Sequence, residues 1–432
     1  MSYDILFVDF ISTVDRSTAG ANMVKGTLIF AQSGGPTAVI NASACGVFQE
    51  AKKHQCVTGI FAARYGIDGI LNEDFFDVDE IDEEEMERLR LTPASAFGSC
   101  RHKLPSPEQN GQEYQRLLEV FKKYNVRFFI YNGGNDSMDT CNKIAEYMRK
   151  QNYECYVIGV PKTVDNDLTC TDHCPGFGSA AKYIATACHE IALDTAVYAK
   201  GRVTIVEIMG RDAGWLTASS ALATLHGAGP DLIFLPETPF DIDDFATKCQ
   251  AICRQKGHCL VAVSEGIRNS DGMYISSLAF NNQLDSFDHV QLSGVANFLS
   301  VKLADTYGIK TRAVEISLLQ RCAGHLASKT DADEAYIAGV KAVEYATSGQ
   351  TGKMVVFNRL SNNPYTVEIT TAPLDDVANA VRFVPDFFID RERNFVTDAF
   401  IEYLKPLIVG ENHLQYENGL PRYSKITPTF KK

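Results

Sequence analysis

Residues 161–168, PKTVDNDL, place two carboxylates and an ammonium directly after the apolar run CYVIGV at 155–160. Asp165 and Asp167 are two positions apart, and in an extended segment such positions project to the same side. Lys162 can reach the same space. Phosphoryl transfer requires a group that accepts the hydroxyl proton, a carboxylate for Mg²⁺ and cations for phosphate. The stretch therefore predicts a phosphoryl-transfer site, the alternative being a solvated turn in which Asp167 caps a helix.

Polar or glycine-containing loops follow four further apolar runs. Paired glycines permit close approach of the backbone, and a helix that starts there offers free N–H groups to a phosphate. Either glycine loop alone is equally compatible with a tight turn. In open α/β sheets, however, ligands bind outside the carboxyl ends of the strands, and several such loops together indicate a ligand site. They are SGG (33–35), GGNDS (133–137), MGRDAG (209–214) and SEG (264–266).

Six basic residues lie near predicted strand ends or glycine-containing loops. Taken singly, each is compatible with a surface ion pair, but their coincidence with the acidic loops indicates a phosphorylated metabolite bound by guanidinium groups. They are Arg101, Lys103, Arg202, Arg211, Arg312 and Arg321.

The elements that must position these residues are short apolar strands, each followed by a turn and a helix. Continuous apolar strands that alternate with helices predict a doubly wound, largely parallel α/β sheet. Two series of such units predict two lobes. The expected division is an N-terminal extension (1–24), a first α/β lobe (25–176), a second α/β lobe (177–321) and C-terminal helices and strands (322–432), part of which packs back on the first lobe.

The composition excludes several classes of function. The chain has 432 residues, 45% of them hydrophobic and 22% charged, and a formal net charge of −13. The negative charge disfavours nucleic-acid binding. No window reaches the roughly 18 apolar residues of a membrane helix. Twelve scattered cysteines and an N-terminus without a signal-peptide pattern predict reduced thiols in the cytoplasm.

Three familiar signatures are absent or incomplete. Gly352–Lys353 is followed by Met354 and lacks the hydroxyl of a P-loop. The segment GFGSAA (176–181) fits a dinucleotide fingerprint but follows a polar stretch instead of a strand. CTDHC (170–174) could hold a metal, yet no second Cys/His pair at zinc spacing is nearby.

The ordered set of motifs resembles the phosphofructokinase family from about Lys25 to Tyr345. SGG, GG-x-D-S, PKT-x-DND, MGR, S-E-G and a late TRA…LQR occur in the family's order. The resemblance implies phosphorylation of the C1 hydroxyl of fructose 6-phosphate to fructose 1,6-bisphosphate, in glycolysis or gluconeogenesis.

The same resemblance implies roles for individual residues. Asp165 is the expected base, Asp167 the Mg²⁺-side carboxylate, and Thr163 touches the sugar or the transferred phosphate. Arg211 lies near the transferred group and Glu265 binds sugar hydroxyls. The remaining sugar-phosphate residues are Met209, Gly210, Arg321, Arg202 of the partner subunit and Arg312 of the partner subunit, which implies a homodimer or homotetramer with shared sites.

The resemblance also implies an active site in the cleft between the two lobes, with the phosphoryl donor bound by the first lobe (25–176) near Gly35, Arg101 and Lys103 and the sugar phosphate by the second (177–321). ATP-using members of the family usually carry glycine at the positions of Asp136 and Lys162. An aspartate there would crowd and repel the α-phosphate of a nucleotide, and a lysine adds charge for a compact polyanion. Both substitutions are typical of the pyrophosphate-dependent branch; the alternatives are an ATP-dependent enzyme and a non-catalytic regulatory paralogue.

The chain departs from the family pattern at two positions. Asn135 replaces the aspartate that many members use at the metal, so the expected Mg²⁺ ligands are Asp136 and Asp167. Leu318 stands where many members have a substrate-binding histidine, and His325 lies seven residues further on.

Overall fold

A computed structural model describes residues 24–197, 201–278 and 294–426, together with the backbone of residues 6–7. The predicted N-terminal extension at 1–24 therefore lies almost entirely outside the described residues. Among those described, no helix is long and apolar enough to cross a membrane. All twelve cysteines are free thiols.

The described residues form sixteen strands. They are β1 (Leu6–Phe7), β2 (Gly26–Gln32), β3 (Val57–Ala63), β4 (Phe75–Asp77), β5 (Val126–Gly133), β6 (Tyr156–Pro161), β7 (Val203–Ile208), β8 (Leu232–Phe234), β9 (Cys259–Ser264), β10 (Thr311–Glu315), β11 (Lys353–Asn362), β12 (Tyr365–Pro373), β13 (Ile389–Asp390), β14 (Phe395–Val396), β15 (Tyr416–Glu417) and β16 (Leu420–Pro421).

Thirteen α-helices connect or cover these strands within the described part of the chain. They are α1 (Ile40–Ala51), α2 (Ile67–Asn72), α3 (Glu83–Arg90), α4 (Gly111–Lys123), α5 (Asn135–Lys150), α6 (Phe177–Ala196), α7 (Trp215–Ser219), α8 (Ile242–Lys256), α9 (Val295–Tyr307), α10 (Leu319–Cys322), α11 (Lys329–Thr347), α12 (Leu374–Val377) and α13 (Asp398–Leu404).

Two sheets organise the chain. The larger has the strand order β1-β12-β11-β6-β5-β2-β3-β4, and the smaller has the order β10-β7-β9-β8. The smaller sheet and the central pairs β6-β5, β5-β2 and β2-β3 are parallel. This topology confirms the predicted α/β fold with largely parallel sheets. The predicted domain limits stay a prediction.

The central strands are apolar throughout because both faces of the sheet are covered. Along β2, Leu28 and Phe30 pack into one hydrophobic cluster, while Ile29 and Ala31 pack into another on the opposite face. Alternate side chains of a strand point to opposite faces, so a strand buried on both sides needs no polar alternation. This is why the strands could be located from short apolar runs.

The long hairpin β11–β12 extends the larger sheet beyond β6. Lys353 and Met354 pair in parallel with Ile158 and Gly159, and β12 runs antiparallel to β11. No chemistry was predicted from the sequence for this part of the chain. The hairpin nevertheless returns that part of the chain to the sheet that carries residues 161–168.

Candidate active site

The loops singled out in the sequence converge on one cavity of about 510 Å³. The loops after β6, β5 and β2 are adjacent because these strands are parallel neighbours, and the loops after β7 and β9 are adjacent in the smaller sheet for the same reason. Of the predicted residues, the cavity wall contains Gly35, Arg101, Lys103, Asp136, Lys162, Thr163, Asp165, Asp167, Met209, Arg211, Glu265 and Arg321.

Residues 162–176, here called the aspartate loop, join β6 to α6. Thr163, Asp165 and Asp167 are partly exposed and line the cavity, whereas Asn166 is fully buried. Asn166 has φ of 54°, a left-handed conformation that asparagine adopts more readily than most residues. Its side-chain oxygen accepts the backbone N–H of Cys174 at 2.9 Å. The buried asparagine thus turns the chain so that both aspartates reach the same space.

Burial raises the pKa of Asp165 and of Asp167. The pKa of Asp165 is raised by loss of solvent, with the charges of Lys162 and Arg211 acting against that effect. Burial and the neighbouring charge of Asp165 raise the pKa of Asp167 to about 7. A carboxylate whose pKa is raised toward neutrality is a better proton acceptor than an exposed one.

The Lys162 amine is buried beside the loop SGG at 33–35, here called the glycine loop. Its Nζ donates to the Gly35 carbonyl at 2.8 Å, and a Cβ placed on Gly34 would lie 3.2 Å from the same Nζ. Burial lowers the pKa of Lys162 to about 8, with the charge of Arg321 adding to the decrease. The glycine loop therefore leaves just enough space for a cation at this point.

Asp136 lies in the first turn of α5 at the other side of the cavity. The free N–H groups of a helix N-terminus stabilise a negative charge there. Lys103 Nζ is 3.8 Å from Asp136 Oδ1. Between the cavity residues Arg101 and Lys103, the His102 ring is held by Asp68 and Glu113 at 2.8 and 3.1 Å. His102 was not predicted as a site residue. Its contacts with Asp68 and Glu113 hold the loop that carries Arg101 and Lys103.

The smaller sheet contributes Met209, Arg211 and Glu265. The Gly210 N–H donates to Glu265 Oε1 at 3.3 Å, so Gly210 supports the cavity wall without lining it. Burial raises the pKa of Glu265 to about 8. A Cβ on Gly266 would lie 1.8 Å from the Arg211 carbonyl oxygen, so this close approach of the two loops requires glycine.

Arg321 reaches the cavity from α10, close to the glycine loop. A Cβ on Gly35 would lie 3.0 Å from its Nη1. Burial and the positive charge of Arg101 lower the pKa of Arg321. The predicted donor-side and sugar-phosphate-side residues therefore meet at this point.

Arg202 and Arg312 do not line the cavity of their own chain. Arg202 precedes β7 and Met209 follows it, and a rise of about 3.3 Å per residue places the two roughly 20 Å apart. Arg312 pairs with Thr204 across the same sheet and lies 3.3 Å from the Asp194 carboxylate. Their assignment to a neighbouring subunit's site stays a prediction.

The cavity residues that were not predicted include Asp212, Asn379 and Val381. Asp212 belongs to the quoted loop MGRDAG, so its position was available; its carboxylate binds Arg268 and Tyr274. Asn379 and Val381 come from the C-terminal part of the chain, where no motif signalled them. Among the described cavity residues, neither Leu318 nor His325 is present.

In the CTDHC segment (170–174), the histidine side chain forms buried ion pairs with two carboxylates. The buried His173 ring lies 2.9 Å from the Asp172 carboxylate and 2.8 Å from that of Glu334. Although burial lowers the pKa of His173, the two carboxylates outweigh it and raise the pKa to about 9. Its two nitrogens are therefore engaged in a buried ion-pair network.

Oxygen atoms of Asp136 and Asn135 on α5 and of Asp167 in the aspartate loop are suitable ligands for Mg²⁺. Asn135 Nδ2 lies 3.4 Å from Asp167 Oδ2. Within the described part of the chain, no group hydrogen-bonds the buried Asn135 Oδ1. Carboxylate and amide oxygens are ligands that Mg²⁺ accepts, and it commonly takes only one or two carboxylates plus substrate phosphates. Asp167, Asp136 and Asn135 thus form a suitable partial set.

The chain belongs to the phosphofructokinase family, whose characteristic sequence pattern it matches over residues 27–346. This membership confirms the resemblance inferred from the motifs.

Its relatives include proteins named for pyrophosphate. It is 45% identical over 408 residues to the pyrophosphate--fructose 6-phosphate 1-phosphotransferase of Halomonas elongata, with 94% of this chain and 97% of that protein covered. It is also 45% identical over 411 residues to the protein of that name from Xanthomonas campestris, with 94% and 97% covered. The crystal structure of a pyrophosphate-dependent phosphofructokinase from Nitrosospira multiformis aligns with a TM-score of 0.83 and 40% identity, covering 92% of this chain and 95% of that one.

Proposed function

We propose that the chain transfers a phosphoryl group from pyrophosphate to the C1 hydroxyl of fructose 6-phosphate, which yields fructose 1,6-bisphosphate and phosphate. The observation that supports it best is one cavity holding Asp165, Asp167 and Arg211 together with Asp136 and Lys162. The first three suit transfer to a hydroxyl, and the last two suit a short donor. The reaction runs in either direction because pyrophosphate and the product have similar transfer potential.

In this proposal the chain's own residues move the proton and stabilise the charge. Asp165 accepts the C1 hydroxyl proton as the hydroxyl oxygen attacks the terminal phosphorus of pyrophosphate. The bond from that phosphorus to the bridging oxygen breaks, and phosphate leaves. Lys162 and Arg211 stabilise the charge on the transferred group. The Thr163 hydroxyl accepts the Asp165 backbone N–H at 3.1 Å and so orients the base.

Mg²⁺ is the expected cofactor, and Asp167, Asp136 and Asn135 are the residues that would hold it. When bound, it neutralises phosphate charge and orients the donor.

We assign sugar hydroxyls to Glu265 and the 6-phosphate to Arg321, with Arg202 of the partner subunit and Arg312 of the partner subunit. The enzyme is then a homo-oligomer with shared sites, and its substrates place it in the cytoplasm.

The donor is tested by initial rates with fructose 6-phosphate and Mg²⁺, using pyrophosphate or ATP. We expect pyrophosphate to be used and ATP to be nearly inactive. In Asp136→Gly, removal of the bulk and the like charge should raise the ratio of kcat/KM for ATP to kcat/KM for pyrophosphate about 10- to 100-fold, equivalent to roughly 1–3 kcal/mol, because loss of a Mg²⁺ ligand affects both donors. Asp136→Asn is the matched control, because it removes the charge and keeps the bulk.

Each alternative has a distinct outcome. Strong activity of the wild type with ATP would identify an ATP-dependent phosphofructokinase and contradict the donor assignment. Inactivity with both donors, together with retained binding of fructose 6-phosphate, would identify a regulatory paralogue.

A further inference from the structure

The Arg382 side chain hydrogen-bonds the backbone of the aspartate loop, and Arg382 itself does not line the cavity. Its Nη2 donates to the Asn166 carbonyl at 2.9 Å, and its Nη1 donates to the Thr171 carbonyl at 2.7 Å. The same Nη1 also donates to the Asp172 carbonyl. One guanidinium thus links the Asn166 carbonyl to the adjacent carbonyls of Thr171 and Asp172, five and six residues further along the loop.

The backbone of Arg382 also hydrogen-bonds residues next to both sheets, Asp167 after β6 and Trp215 after β7. Its N–H donates to the Asp167 carbonyl at 2.8 Å. Its carbonyl accepts the indole N–H of Trp215 at 2.9 Å, and its guanidinium lies 4.6 Å from the centre of the Trp215 ring. Trp215 begins α7, directly after the loop MGRDAG of the smaller sheet. Arg382 therefore joins the loop that carries the aspartates to the loop that carries Arg211.

Residues 379–384, here called the C-terminal strap, are held by hydrogen bonds at both ends. Asn379 Nδ2 lies 3.2 Å from Asp139 Oδ1 on α5. At the other end, the N–H groups of Val384 and Gly214 both donate to Glu237 Oε1, at 2.9 and 2.8 Å. Both ends of the strap are consequently anchored outside the aspartate loop, at Asp139 and at Glu237.

The turn at Asn166 needs such support. Its left-handed φ of 54° costs conformational energy, and it persists only where the surroundings hold it. The Asn166 carbonyl belongs to the peptide between Asn166 and Asp167, so a rotation of that peptide would change the direction of Asp167 relative to Asp165. Arg382 holds the carbonyl of this peptide with two guanidinium nitrogens, Nη2 at 2.9 Å and Nε at 3.3 Å.

We propose that Arg382 is a positioning residue for phosphoryl transfer: it fixes the Asn166 turn and so directs Asp165 and Asp167 into the cavity. This inference rests on the proposed function. Arg382 does not line the cavity, so it acts through the loop backbone and not on the substrate. A lysine at this position keeps the charge. Its ammonium has a single nitrogen and cannot reproduce the hydrogen bonds that the planar guanidinium donates to three carbonyls.

The test compares kcat and KM of wild type, Arg382→Lys and Arg382→Ala with pyrophosphate and fructose 6-phosphate. We expect kcat to fall about 10- to 100-fold in both variants, because a displacement of the base near 1 Å has that effect. KM for fructose 6-phosphate should stay within about threefold, since the substrate-binding groups are untouched. Added guanidinium, below denaturing concentration, should restore part of kcat in Arg382→Ala, whereas ammonium at equal ionic strength should not.

Arg359→Lys is the matched control. Arg359 is also buried against the loop, where it binds the Asp172 carboxylate at 2.8 Å, but it bonds the Tyr403 carbonyl instead of that of Asn166. This variant should lose thermal stability and keep kcat. Amide hydrogen exchange provides a readout without activity: exchange of residues 162–176 should accelerate in Arg382→Lys more than in Arg359→Lys.

The possible results separate the two proposals. Folded Arg382 variants with wild-type kcat, or with loop exchange unchanged, would overturn the positioning role while leaving the proposed function intact. Loss of kcat that guanidinium does not rescue, and that Arg359→Lys reproduces, would assign Arg382 to general stability and overturn it as well. A wild type that transfers no phosphoryl group would refute the proposed function, and the exchange comparison would still decide whether Arg382 holds the loop.

Discussion

Lys162 is a buried amine whose surroundings determine when it carries a charge. Burial lowers its pKa to about 8, so the free protein holds it only partly protonated slightly above neutral pH. A bound polyanion stabilises the protonated form. The residue is therefore suited to bind a compact, highly charged donor, provided that the pH is low enough for the ammonium to form.

We expect kcat/KM for pyrophosphate to decline as the pH rises through about 8, the pKa of Lys162 in the free protein. The sign follows from the charge: the ammonium is present below the pKa and lost above it. The profile of kcat should turn down at higher pH, because bound pyrophosphate raises the lysine pKa. The measurement is the pH dependence of initial rates from neutral to alkaline pH.

Lys162→Met is the control for that profile. It should lower activity at every pH and remove the decline near pH 8, whereas a decline caused by ionisation of pyrophosphate itself would persist in the variant. Persistence would contradict the assignment to Lys162.

At the scale of elements, the cavity depends on close contact between strand-end loops. The loop after β9 touches the loop after β7 where Gly266 faces the Arg211 carbonyl. No other residue type fits there without moving one of the loops. The position of Arg211 in the cavity is consequently determined by a residue that performs no chemistry itself.

Gly266→Ala should lower the free energy of unfolding by about 1–3 kcal/mol, the usual range for an overpacked site. It should also raise KM for fructose 6-phosphate, because the loop with Met209 and Arg211 must shift. Chemical denaturation and initial rates measure the two effects. Gly111→Ala is the matched control, since a Cβ there meets nothing within 4 Å; equal losses in the two variants would contradict the contact argument.

At the scale of the whole molecule, two arginines predicted to bind the 6-phosphate lie far from their own chain's cavity. Arg202 and Arg312 are near the opposite end of the smaller sheet from Met209. An arrangement in which they serve a neighbouring subunit makes each site incomplete in a single chain. Paired subunits related by twofold symmetry would exchange these residues reciprocally.

Mixing two inactive variants tests this exchange. Asp165→Asn removes the base and Arg312→Ala weakens binding of the 6-phosphate, so each alone should have low kcat/KM. After dissociation and reassembly at equal amounts, random dimers should regain about a quarter of the wild-type activity, because half are hybrids with one intact site. No recovery, with hybrids shown by native mass spectrometry, would contradict shared sites.

The α/β fold, the strands β2, β5, β6, β7 and β9 and the chemistry of the loops that follow them could be predicted from the residues alone. This was possible because strands covered on both faces are continuously apolar, and carboxylates, lysine or paired glycines at their ends have no role in packing. Parallel neighbours such as β6, β5 and β2 then bring their loops together without further information. The motifs also sufficed to place the chain in its family.

The distant segments that complete the site could be identified only from the three-dimensional fold. Asn379, Val381 and Arg382 lie more than two hundred residues after the aspartate loop, and no local pattern links the strap to it. Their contacts arise because the β11–β12 hairpin returns to the larger sheet beside β6. Contacts of this kind depend on long-range packing, and pKa shifts such as that of Lys162 depend on burial, neither of which is encoded in local spacing.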